Sequence, residues 1–150
     1  MKDTDSKTDT SQDFGMVHKA YETPFGCALE GKIEDALASE HLERYKGKVN
    51  LILTSPPYPL VRKKQYGNSN GQEYLDWLSS LAVGLTELLA DDGSIVVEIG
   101  NAWEPGSPTM STLPLEALMA FKREANLNLC QHVICHNPAR LPSPAAWVNV

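Results

Sequence analysis

The residues best placed to do chemistry are Thr54-Ser55-Pro56-Pro57-Tyr58, which end the apolar run Leu51-Ile52-Leu53. A hydroxyl, two carbonyls held by the fixed φ of consecutive prolines, and an aromatic ring stand within four residues. Such a corner suits an exocyclic amine on a nucleobase. The amine lone pair is delocalised into the ring, so the nitrogen is a poor nucleophile until its two protons are drawn toward a tetrahedral arrangement. Ser55 Oγ and the Pro56 carbonyl supply two acceptors for those protons, Pro57 stiffens the backbone, and Tyr58 offers a face on which an extruded base can stack. Preorganised dipoles of this kind also stabilise positive charge growing on nitrogen.

The elements around the corner must hold it at a strand end. Val49 to Thr54 has the length and composition of a buried strand, and Pro56-Pro57 cannot continue a sheet because neither nitrogen carries a proton. In an open α/β sheet the carboxyl ends of strands face the ligand crevice. Upstream, Phe25 to Gly31 reads as a short strand closed by glycine, and Ile33 to Lys46 as a helix stopped by Gly47, so these and Val49–Thr54 predict one βαβ unit. Downstream, Asn70 and Glu73 have capping-box spacing. They open a helix with Tyr74, Trp77, Leu78, Leu81, Leu85, Leu88 and Leu89 on one stripe, ended by the turn signal Asp91-Asp92-Gly93. Ser94 to Ile99 is a β-branched strand, Gly100-Asn101 its carboxyl end, Pro114 to Ala125 a weaker helix, and Leu129 to His136 a third strand. Phe14 to Thr23 is ambiguous. Alternating strands and helices predict an α/β fold with a parallel, doubly wound, Rossmann-like sheet.

Composition narrows the partners. Nineteen acidic against thirteen basic residues give a net charge of −6 over 150 residues, so nucleic acid would have to be held by a local basic patch rather than by the overall field. Arg62-Lys63-Lys64, in the long polar connection after the prolines, is such a patch, and charge alone leaves it balanced between a phosphate contact and a solvated loop. Three cysteines without a signal-peptide pattern indicate reduced thiols and a cytoplasmic setting, and no stretch is apolar enough to span a membrane. Met1 to Asp13 is polar and is expected to be a flexible tail, with one domain over 14–150. Cys130, His132 and His136 would share a strand face, but three ligands without a fourth read as core thiols and hydrogen-bonded histidines, so no metal is expected.

Thr54-Ser55-Pro56-Pro57-Tyr58 resembles the catalytic motif of the DNA amino-methyltransferases, which use S-adenosyl-L-methionine to methylate cytosine N4 or adenine N6. The resemblance continues through Arg62 to Asn68, Glu73 to Trp77, Asp92 to Val97, His136 to Pro144 and Trp147 to Asn149, in the order of the beta-class cytosine-N4 enzymes. In that family Ser before Pro-Pro-aromatic goes with cytosine N4, and Asp or Asn with adenine N6. The resemblance therefore implies a cytosine-N4 enzyme of a prokaryotic restriction-modification system, acting on double-stranded DNA. Ser55, Pro56, Pro57 and Tyr58 would be catalytic, Thr54 and Asp35 cofactor-binding, and Arg62, Lys63, Lys64 and Arg140 DNA-binding. Two departures qualify it. The glycine loop that grips the methionine end of the cofactor in relatives has no counterpart before Val150, and Gly31-Lys32 stands where relatives have Gly-Asp. The chain is thus expected to be the catalytic part of the domain, completed by a second polypeptide or a longer protein, with an N6-adenine enzyme or a non-catalytic remnant as alternatives.

Overall fold

The computed structural model describes residues 17–57, 71–101, 104 and 109–135. The chain divides into two compact units, Met1–Arg44 and Tyr45–Val150. The expected polar tail, the Arg62-Lys63-Lys64 patch and the segment carrying His136 and Arg140 lie outside the described residues.

In the first unit, β1 (His18–Thr23) and β2 (Gly26–Glu30) form an antiparallel hairpin. Its tight turn is fixed by the Thr23 hydroxyl, which accepts from Phe25 N at 3.3 Å and donates to the Gly26 carbonyl at 3.1 Å. Lys19 hydrogen-bonds Glu22 and, through that bond and its charge, holds the Glu22 carboxyl below its ordinary range. The helix expected over Ile33–Lys46 is broken into α1 (Ile33–Leu37) and α2 (Glu40–Glu43). Ser39 is the cause: its hydroxyl and its own N–H both reach the Ala36 carbonyl, at 2.7 and 3.1 Å, and its backbone opens to an extended conformation. A serine that bonds back to the preceding turn competes with helix propagation in this way.

The second unit contains β3 (Val49–Thr54), α3 (Gln72–Leu88), β4 (Leu89–Val97) and α4 (Leu113–Glu124). Strands β3 and β4 are parallel, with Leu51 opposite Ser94, Ile52 opposite Ile95, Leu53 opposite Val96 and Thr54 opposite Val97. The βαβ unit therefore runs β3–α3–β4. The one expected from Phe25 to Thr54 does not form, because β2 pairs with its hairpin neighbour β1 and β3 with β4. Among the described residues the sheets are these two pairs, consistent with a Rossmann-like sheet that is incomplete in this chain.

Asp91-Asp92-Gly93 is not a turn between helix and strand. The helix stops at Leu88, Leu89 already pairs with Val49, and the register then jumps to Leu51–Ser94, so Ala90 to Gly93 bulge out of the ladder. Gly93 is required there, since a Cβ would sit 2.6 Å from the Val49 carbonyl oxygen. Helix α3 begins at Gly71, whose φ of 55° favours glycine, with no side-chain cap. The expected Asn70 cap lies outside the described residues.

The core is the seam between α3 and α4. Tyr74, Leu78, Leu81, Ala82, Leu85 and Leu88 on α3, with Ala117 and Phe121 on α4, are all buried, and each large side chain so buried contributes roughly 1.5–3 kcal/mol. Tyr74 and Trp77 belong to this stripe, their rings 5.9 Å apart. Ala117 is fully covered and lets the helices approach. The third strand expected at Leu129–His136 is absent over its described residues: these carry no ladder, and Val133 and Ile134 are 65% and 82% exposed. β-branched residues favour extension, but a strand needs a neighbour to take its hydrogen bonds.

Candidate functional site

The corner emerges from the carboxyl end of β3. Thr54 is half-buried, and its carbonyl accepts a 2.9 Å hydrogen bond from Glu98 N, one rung beyond the last paired residues. Ser55 is exposed, Pro56 buried and Pro57 exposed. The burial of Pro56 anchors the corner in the body of the unit while Ser55 is presented to solvent. The division follows from chemistry, because a proline ring has no donor to satisfy and a hydroxyl does. Tyr58 lies outside the described residues, as do Arg62, Lys63, Lys64 and Arg140.

Thr54, Ser55, Pro56 and Pro57 are contiguous at one strand end. Asp35 is half-buried on the five-residue α1, in the other compact unit. Cys130 and His132 are exposed on irregular chain, so they are neither on a strand face nor in a core as expected, and His136 lies outside the described residues. No cluster of potential metal ligands occurs among the described residues.

At the carboxyl end of β4 a cavity of about 120 Å³ is walled by Val97, Ile99, Leu118 and Phe121, with Asn101 and His132 as polar members. Sequence reasoning did not assign this cavity. Its one signal was Gly100-Asn101 at the end of an apolar strand, where α/β sheets place their ligands. Across the ladder from the corner stands Glu98, which is exposed. Strand periodicity explains its direction. Leu51 and Leu53 on β3, with Ser94 and Val96 on β4, form the outward face, and the next pair outward by period two is Ser55 and Glu98.

A family model described as DNA methylase, of the N6/N4 type, matches residues 49–148, which contain β3, the corner and β4. The type II methyltransferase M.PvuII of Proteus hauseri is 39% identical over 131 residues, covering 87% of this chain and 38% of that protein. A solved structure of PvuII DNA methyltransferase (cytosine-N4-specific) aligns with a TM-score of 0.59 at 38% identity, over 75% of this chain and 40% of that one. The chain thus spans about two fifths of the length of these relatives and has the α/β fold of the part it spans. A shorter match, 33% identical over 72 residues, joins it to a glutamate racemase of Aquifex pyrophilus; it covers 47% of this chain and 28% of that protein, too little to carry a function.

Proposed function

The chain belongs to the N6/N4 DNA methylase family, and from that premise we propose that it carries the amine-orienting part of a DNA cytosine-N4 methyltransferase. The observation that carries the reading is the exposed Ser55 seated on the buried Pro56 at the carboxyl end of β3. Ser55 Oγ accepts one proton of the cytosine amine and the Pro56 carbonyl accepts the other. The nitrogen lone pair is thereby turned out of conjugation and toward the incoming methyl group, and Tyr58 stacks on the base once it has left the duplex. Serine in this place favours cytosine, in line with the specificity named for the PvuII enzyme. The same premise supports duplex DNA as partner, a restriction-modification context and a cytoplasmic setting. No helix among the described residues is long and apolar enough to cross a membrane.

The methyl donor of such a reaction is S-adenosyl-L-methionine. The described residues do not make its site. The cavity at the end of β4 holds about 120 Å³ between walls of mixed polar and apolar atoms, whereas a nucleoside bearing a charged amino acid needs a larger cleft. Thr54 turns its carbonyl to Glu98 N. The chemistry attributable to these residues is confined to the amine.

The test is transfer of labelled methyl from S-adenosyl-L-methionine to unmethylated bacterial genomic DNA, followed by digestion to nucleosides. The chain is assayed alone and with a polypeptide corresponding to the part of M.PvuII that it does not match. Label in N4-methylcytosine is expected. Label in N6-methyladenine would replace the cytosine reading by the adenine one, and no label in either arm would favour a non-catalytic remnant.

A further inference from the structure

The parallel pair β3–β4 has one packed face and one open face. On the inward side Val97 and, just past the end of β4, Ile99 line a cavity together with Leu78 of α3 and Leu118 and Phe121 of α4. On the outward side Leu51, Leu53 and Val96 are exposed, Leu53 by 71%. Parallel strands ordinarily carry helices on both faces, because the crossovers that join them pack there, and their side chains are apolar on both sides for that reason. We propose that this outward face is the seat of an amphipathic helix supplied by the part of the methyltransferase that this chain does not match, an inference that rests on the proposed reading of the Ser55 corner.

The dimensions of the strip suit a helix. Strands about 4.8 Å apart lie together under a single helix about 10 Å across, so one apolar stripe at spacings of three and four residues covers all three side chains. The source of the helix follows from length. The chain spans 38% of M.PvuII and 40% of the solved PvuII enzyme, which leaves about three fifths of such an enzyme outside the match. The stretches of this chain outside the described residues do not have the sequence of such a helix: 2–13 and 62–70 are polar, and 136–150 carries Pro138, Pro142 and Pro144, which a helix interior does not accept. Position points the same way. The outward face continues by period two from Leu53 to Ser55, so a segment seated on Leu51, Leu53 and Val96 ends beside the amine corner, whose methyl-donor site the described residues do not make.

The test is association of the full chain with the complementary M.PvuII polypeptide, read by analytical ultracentrifugation without donor or DNA, beside methyl transfer by the same mixture. The native pair is expected to associate, and Leu53→Asp to weaken that association about 10²-fold, the scale on which a central apolar contact counts. Val83→Asp, at another exposed apolar residue, on α3, leaves it unchanged, and all three chains melt alike when alone. In Leu53→Cys the new thiol is alkylated freely in the chain alone and protected in the mixture. Association that ignores Leu53→Asp and leaves the Leu53→Cys thiol open overturns the inference, as does failure of the native chain to associate. Pairing of the chain with itself, abolished by Leu53→Asp and undisturbed by the added polypeptide, assigns the face to a second copy and overturns it too. Association with the expected properties but without methyl transfer supports the seat and removes the reading of the corner instead.

Discussion

Ser55 and Pro56 are neighbours with opposite fates, one exposed and one buried. On the proposed reading, Ser55→Ala removes one of two acceptors on the amine and leaves the buried Pro56 in place. Methyl transfer is expected to fall by about 10²–10³-fold, the scale on which enzymes depend on one preorganised polar partner, while the melting temperature changes little. Rate and thermal melting measured on the same preparation check both halves. Gly93 is the converse case, a residue with a structural role alone. Gly93→Ala forces a methyl group against the Val49 carbonyl, 2.6 Å from the new Cβ, and is expected to cost about 1–3 kcal/mol in denaturant unfolding.

Among the elements, those written in a long apolar period were legible. The stripe from Tyr74 to Leu88 is the observed buried face of α3, and Pro114 to Ala125 became α4 with an N-terminal shift of one residue. The parallel run ending at Thr54 could be read because its apolar residues stop at prolines. What could not be read depended on a few local bonds or on distant partners. The Ser39 hydroxyl splits a helix that periodicity joined, the bulge at Ala90 to Gly93 looks like a turn until its register is known, and Leu129 to Cys135 has strand composition but no described neighbour. Of the candidate site, the corner could be read as a contiguous string, whereas the place of Glu98 across from it exists only through the ladder. The helix seam gives a test at this scale. Phe121→Ala opens a cavity beside the fully covered Ala117, and about 3–5 kcal/mol is expected to be lost, read from chemical denaturation.

For the whole molecule, the balance of −6 charges means that DNA is gripped locally or hardly at all. If Arg62, Lys63 and Lys64 lie on phosphates, replacing all three by Ala should lower the slope of log affinity against log salt by about 0.9 for each phosphate that is no longer neutralised. An unchanged slope in filter binding over a salt series would return that patch to the solvent. Calorimetry is expected to show no micromolar binding of S-adenosyl-L-methionine by the chain alone, because the cavity at the carboxyl end of β4 holds only about 120 Å³.

The outward face of the β3–β4 pair has a cellular consequence. Leu51 is 58% exposed, Leu53 71% and Val96 47%, an adhesive strip on parallel strands, which ordinarily lie between covering layers. Left uncovered, such a strip favours association between copies of the chain, so the concentration at which the chain aggregates should depend on these three side chains.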